Sequence, residues 1–75
     1  MKKYSSMFHS RKHGQKELAV DLEDLERIRA WLTKLNIRCL VEKHEEAGVA
    51  NLLFGSRVTA EALKAALQQY EQLNP

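Results

Sequence analysis

Cysteine, proline and glycine are scarce in this chain of 75 residues, which has one cysteine, one proline and three glycines. Because Cys39 has no second cysteine, no disulfide can form within the chain. A single thiol is typical of proteins from a reducing compartment, so the sequence favours a cytoplasmic location. The glycines are isolated from one another, which excludes a glycine-rich loop that cradles phosphate.

Long apolar runs are also missing. The longest cover three or four residues, whereas a membrane-spanning helix needs about 20. Lys2 and Lys3 stand near the start, but no apolar segment follows them, so no secretory signal is predicted. A chain of this length holds one domain with a small core, and a partner or a second copy would add to its buried surface.

Charge is distributed unevenly along the chain. Residues 1–16 hold five bases and no acid, while residues 17–75 hold seven Lys and Arg against ten Asp and Glu, so an arm of +5 precedes a body of −3. The arm shows no lasting periodicity, which predicts a flexible N-terminal arm in front of a single domain at 17–75. Its large apolar residues, Tyr4, Met7 and Phe8, either dock onto the body or wait for a partner.

Two helices are predicted in the body. Between residues 22 and 35 the apolar residues recur at helical spacing and form one stripe. Asp21 has the chemistry of an N-cap, and Asn36 that of a left-handed residue after a helix end. Thr59 is the expected N-cap of the second helix. The core face of that helix is predicted to hold Leu63, Ala66, Leu67 and Tyr70.

Three short segments are predicted to be strands. Residues 18–20 form an apolar run, and residues 37–42 alternate between apolar and polar except at Leu40. Residues 49–54 are predicted to be the returning strand of a hairpin. Both of their faces carry apolar residues, so the sequence does not decide which face points inward. The order β-α-β-β-α predicts a small two-layer α+β sandwich, with a three-stranded mixed sheet and two helices on one face.

The pattern VDL…L…L.I…VE…AGV..LLF, within the body from Leu18 to Leu73, resembles the small cytosolic domain that precedes the membrane part of some bacterial rhomboid proteases. The resemblance implies the same element order and the same fold. It includes no functional motif, and the longer basic arm departs from it.

The basic arm is the first candidate site. Its cations suit phosphates, and Tyr4 and Phe8 could stack on bases, which predicts a nucleic-acid-binding accessory protein as the alternative function. A solvated tail is the competing interpretation, and no KH, RNP1 or zinc-finger signature supports the first one. The predicted nucleic-acid-binding residues are Lys2, Lys3, Arg11, Lys12 and Lys16.

No catalytic residue, metal or cofactor is predicted. His9 and His13 stand four residues apart and offer two ligands, but a metal site needs three or four. Cys39 and His44 could pair as nucleophile and base, yet a cysteine on the apolar side of a strand is typically a small core residue. We therefore expect a protein that is not an enzyme and has no small-molecule substrate.

Exposed apolar residues form the second candidate site. Trp31 lies on the flank of the first helix's stripe, either as a lid over the core edge or as an interface anchor. Leu40 stands on the polar side of its strand and could join outward residues of the returning strand in a docking surface. The predicted interface residues are Trp31, Leu40, Leu52 and Phe54. The favoured function is a regulatory or protein-interaction module that acts through an open sheet face or an edge strand on another protein or on a second copy.

Overall fold

The computed structural model describes residues 3–10 and 14–73, which form one sheet and two helices. The strands are β1 (His9–Ser10), β2 (Lys16–Asp21), β3 (Cys39–His44) and β4 (Val49–Phe54). The helices are α1 (Leu22–Lys34) and α2 (Ala60–Leu73), and short 3-10 turns cover Tyr4–Ser6 and Glu45–Ala47. The predicted α+β class with two helices is confirmed.

The sheet has four strands in the order β1-β2-β4-β3, and every neighbouring pair is antiparallel. The prediction of a three-stranded mixed sheet is therefore wrong in two respects. β4 lies between β2 and β3, so the two strands that α1 connects are not neighbours and form no parallel pair. β1 adds an edge strand of two residues, which is too short to leave a periodic pattern in the sequence.

One core lies between the sheet and the two helices. Leu18 of β2 is opposite Leu52 of β4, Val20 is opposite Ala50, and all four are buried. The centre of each predicted helical stripe is buried too, while Leu35 at the end of the first stripe is exposed. The buried helix residues are Leu25, Ile28 and Leu32 of α1 and Leu63, Ala66, Leu67 and Tyr70 of α2.

The start of each helix was predicted from a capping residue. Thr59 caps α2 as predicted, because its Oγ1 accepts a hydrogen bond from the backbone N–H of Ala62 at 3.1 Å. Asp21 occupies the N-cap position of α1 with extended backbone angles, but its side chain makes no capping hydrogen bond. The position of the first cap was therefore predicted correctly and its mechanism was not.

The end of α1 follows the left-handed pattern that Asn36 predicts. Asn36 has φ +62°, a conformation that asparagine tolerates better than most residues. Its N–H donates to the carbonyl of Thr33 at 2.9 Å, and the N–H of Ile37 donates to the carbonyl of Leu32 at 2.8 Å. These two bonds form a Schellman motif, which turns the chain from α1 towards β3.

The start of the described chain packs against the body. Tyr4 is 3% exposed, and its hydroxyl donates to Asp24 Oδ2 at 2.7 Å and accepts from the N–H of Asp21 at 3.3 Å. The N–H of Ser5 donates to Glu71 Oε1 at 2.9 Å. The apolar residues of the predicted arm were expected either to dock onto the body or to remain free for a partner, and Tyr4 docks onto the body. Core residues therefore lie on both sides of the predicted boundary between arm and domain.

Candidate protein-interaction surface

The sheet has a second face, directed away from the core that the helices share. Directly opposed residues of antiparallel strands point to the same side, and side chains alternate along each strand. Burial of Leu18 and Leu52 on the core side therefore places their chain neighbours on the other side, which we call the open face. The open face is formed by Glu17, Ala19 and Asp21 of β2, Val49, Asn51 and Leu53 of β4, and Leu40, Glu42 and His44 of β3.

Leu40 and Leu53 form an apolar pair on the open face. They are direct cross-strand neighbours, and the side chain of Leu40 is 73% exposed while Leu53 is half-buried. A groove of about 460 Å³ opens beside them at the end of the sheet, and Arg38, Cys39 and Phe54 contribute to its lining. A large apolar side chain held in water beside a groove is the kind of feature that a partner covers.

A polar cluster lies further along the same strands. His44 Nε2 is 3.1 Å from Glu42 Oε1 and 3.4 Å from Asn51 Nδ2. Both contacts use one ring nitrogen, so His44 donates to Glu42 when Nε2 carries a proton and accepts from Asn51 when it does not. The side chains of His44 and Glu42 are exposed, so this contact adds little to the stability of the fold.

β3 is the outermost strand on its side of the sheet. Within the described part of the chain, β4 is its one neighbour, so the outer edge of β3 has no strand beside it. Backbone N–H and C=O groups along such an edge can pair with an added strand. The exposed side chains of Arg38 and Glu42 flank the apolar segment of this edge.

Two of the predicted interface residues are wrong. Leu52 is fully buried and Phe54 is 2% exposed, because both lie on the core side of β4 with Ala50. Leu53 was missed, although the sequence contains a signal for it. Asn51 is the one polar residue in this strand, and alternation from Asn51 places Leu53 outward. Leu40 of β3 is exposed, as a docking residue must be, and its docking role stays a prediction.

Trp31 joins the two helices. Its indole Nε1 donates to the backbone carbonyl of Ala66 at 2.9 Å, and the ring is half-buried against the core. Lys34 Nζ lies 5.9 Å from the ring centroid, within the range of a cation–π contact. These contacts favour the interpretation of Trp31 as a lid over the core edge.

The predicted phosphate-binding cations are described only in part. Lys3 is exposed. Lys16 is 8% exposed, and its Nζ donates to the carbonyl of Gly14 at 2.5 Å, so its ammonium is held by the chain itself. The remaining residues of this prediction, Lys2, Arg11 and Lys12, lie outside the described residues.

The two aromatic rings proposed to stack on bases both contact the body. Tyr4 is buried in the core, so the stacking prediction for Tyr4 is wrong for this conformation. Phe8 is half-buried and packs against the same core. Base stacking requires an exposed ring face. Burial of these rings in the core reduces the ring surface that a base could contact.

Cys39 lies half-buried on the core side of β3 and beside the groove. Burial raises the pKa of its thiol, and the nearby charge of Arg29 opposes that rise. A raised pKa favours the neutral thiol, which is a poor nucleophile. Alternation along β3 places His44 on the opposite face of the strand from Cys39, so the two side chains do not form a nucleophile and base.

Among residues 3–10 and 14–73, side chains of the types that bind metals cluster in one place, the acidic start of α1. Carboxylate oxygens of Asp21, Glu23 and Asp24 lie within 4.8 Å of one another. The carboxylate of Asp24 already accepts from the Tyr4 hydroxyl and pairs with Arg27 at 2.6 Å. Acids are favoured at a helix N-terminus by the helix dipole, which accounts for the cluster without a metal. Of the two histidines weighed as ligands, His9 is exposed, and the other, at position 13, lies outside the described residues.

No protein-family model, curated protein or solved structure matches this chain. Neither helix of the described residues is long and apolar enough to cross a membrane. The case for a function therefore depends on the surface described above.

Proposed function

We propose that this chain is a small, non-catalytic protein-interaction module of the cytoplasm that binds its partner at the Leu40 end of the sheet. The observation that carries the proposal is the 73% exposure of Leu40 beside Leu53 and the groove. Fully burying a leucine side chain is worth about 1.5–3 kcal/mol. A partner that covers Leu40 would gain this free energy on binding, because the side chain is exposed in the isolated chain.

The position of Leu40 on an edge strand supports the same proposal. The outer edge of β3 offers backbone hydrogen bonds, and the side chains beside it offer one apolar contact and charges of both signs, Arg38 and Glu42. A strand added at this edge would gain affinity from the backbone and specificity from the side chains. Trp31 is excluded from this surface, because it lies between the helices in the other layer.

Site-specific photo-crosslinking tests the proposal. We would replace Leu40 by the photo-reactive amino acid benzoylphenylalanine and irradiate the chain, alone at high concentration and in cell extract. The expected result is a protein adduct of defined mass from position 40. The matched control places the same group at Lys64, which is exposed on α2, and should give no such adduct.

Competition shows whether an adduct reports specific docking. An excess of unmodified wild-type chain should suppress an adduct with a different protein, and should itself be captured in the adduct if the partner is a second copy. An excess of a Leu40→Asp variant should do neither, because the aspartate opposes burial of this position. An absent adduct, or equal adducts from positions 40 and 64, would contradict the proposed function.

A further inference from the structure

We infer that the partner strand at β3 is β3 of a second copy of this chain, paired antiparallel about a two-fold axis at Leu40. The inference rests on the proposed function, because it uses the same edge and the same leucine. It adds the identity of the partner and the register of pairing.

The register follows from the order of side chains along residues 38–42, which read Arg-Cys-Leu-Val-Glu. In an antiparallel pair centred on Leu40, Arg38 of each copy lies opposite Glu42 of the other. Cys39 lies opposite Val41, and Leu40 lies opposite its own counterpart. One sequence thus provides two opposite-charge pairs, two apolar pairs and a central leucine pair, each of which stabilises adjacent strands.

Each pair also lies on the side of the sheet that suits it. Cys39 and Val41 are half-buried on the core side of β3 and pack against the core, so their cross-strand contact would extend the core. Arg38, Leu40 and Glu42 are on the exposed side, where ion pairs remain hydrated and the leucines shield each other. The self-complementary charges are the reason for choosing a second copy over a different protein, since an isologous interface requires this symmetry.

Neighbouring registers lack this complementarity. An axis at Glu42 would place two glutamates opposite each other, and like charges in direct opposition destabilise a strand pair. An axis at Val41 would oppose Leu40 to Glu42, and an axis at Cys39 would oppose Arg38 to Leu40. Among the four registers centred within residues 39–42, the axis at Leu40 alone pairs opposite charges with each other and apolar residues with each other.

The pairing would join two sheets of four strands into one continuous sheet of eight. Leu53 is the cross-strand neighbour of Leu40 within each copy, so two Leu40 and two Leu53 side chains would form an apolar row across the open face. The exposure of Leu40 is then accounted for by its counterpart.

Disulfide trapping tests the register. In a Cys39→Ser background, a Leu40→Cys variant treated with oxidised glutathione should form a covalent dimer, because the two positions face each other within the range of about 4.4–6.8 Å between Cα atoms that a disulfide allows. The matched control is Glu42→Cys in the same background. With the axis at Leu40, the two 42 positions are offset by four residues, or about 13 Å along the strands, and should not be trapped.

Charge reversal tests the same pairing without a new cysteine. Arg38→Glu places two glutamates opposite each other at both ends, and Glu42→Arg does the same with two arginines. Each single variant should weaken dimerisation in sedimentation measurements by about tenfold. The double variant Arg38→Glu/Glu42→Arg restores opposite charges and should dimerise within about threefold of wild type, because the pairing is symmetric.

The outcomes separate this inference from the proposed function. A photo-adduct at position 40 that contains only a different protein, together with a monomer in sedimentation, would overturn the second-copy inference and leave the proposed function standing. Trapping at position 42 and not at 40 would overturn the register. Absence of any adduct from position 40 and of any dimer would overturn both.

Discussion

At the scale of single residues, Tyr4 shows why the N-terminal segment was difficult to predict. Residues 1–16 resemble a solvated arm in composition, yet the ring of Tyr4 is buried and its hydroxyl lies between Asp24 and the N–H of Asp21. Composition is an average over the segment, whereas docking is decided by one large side chain with a partner for its polar end. The sequence therefore showed which residues of the segment are apolar, but not whether they pack against the body or bind a partner.

Replacing Tyr4 by phenylalanine should lower the free energy of unfolding by about 1–3 kcal/mol, because it removes a hydrogen bond and leaves Asp24 and the Asp21 N–H with one partner fewer. Denaturant unfolding at neutral pH measures the effect. The control is Ser6→Ala, which removes an exposed hydroxyl and its hydrogen bond to the Lys3 carbonyl from the same segment and should cost less. A Tyr4→Phe variant as stable as wild type would show that the phenol adds nothing to the docking.

The titration of Tyr4 predicts a loss of stability in alkaline solution. Burial, and then the hydrogen bond to Asp24, raise the pKa of the folded-state phenol above its ordinary value of 10. The unfolded chain therefore loses this proton first, so the stability is fully present below pH 10 and falls as the pH rises beyond it. Burial raises the pKa of Tyr70 as well. Unfolding followed across this range should show a smaller alkaline loss for Tyr4→Phe than for wild type, and identical slopes would contradict the assignment.

At the scale of elements, periodicity predicted both helices and three strands, because their burial repeats over several residues. Asn36 and Thr59 marked a helix end and a helix start correctly, since these ends depend on local backbone chemistry. Strand order was not predicted correctly, because it depends on contacts between segments far apart in the chain. On the candidate surface both outcomes depend on local alternation: exposure of Leu40 was read from it in β3, whereas the alternation from Asn51 that buries Leu52 and Phe54 in β4 was not used.

The contact between α1 and α2 gives a prediction at this scale. Trp31→Phe keeps an aromatic ring between the helices but removes the N–H that donates to the Ala66 carbonyl. It should lower the free energy of unfolding by about 1–2 kcal/mol, through the lost hydrogen bond and the smaller ring. Lys34→Ala is the matched control, because it removes the exposed cation near the ring and should change stability by less than about 0.5 kcal/mol. Equal effects of the two variants would mean that the hydrogen bond does not link the helices.

At the scale of the whole molecule, the N-terminal segment belongs to the core it was predicted to precede. Tyr4 belongs to the one buried cluster that also holds residues of both helices and of β2 and β4, and the N–H of Ser5 reaches Glu71 on α2. A chain of this size has a total stability of roughly 4–11 kcal/mol. One large aromatic side chain is therefore a substantial part of what keeps it folded.

Deleting residues 1–8 should destabilise the chain by about 3–5 kcal/mol, the usual cost of removing a buried aromatic side chain. Thermal or denaturant unfolding measures the difference between the deletion and the full chain. A Lys3→Ser variant is the control, because it removes a positive charge from the segment and keeps Tyr4. If the deletion and the control were equally stable, the segment before β1 would add nothing to the fold, as expected of a flexible arm in front of the domain.

The central place of β4 also constrains how the chain folds during synthesis. A ribosome releases β2, then α1, then β3, and neither β2 nor β3 has its main neighbour until Val49–Phe54 emerges. Local contacts allow α1 to form early, whereas the sheet cannot form until β4, its last strand in the chain, has emerged. Nascent chains on one polysome are held close together. Until β4 emerges, both edges of β3 are unpaired in each chain and can contact β3 of a neighbouring chain.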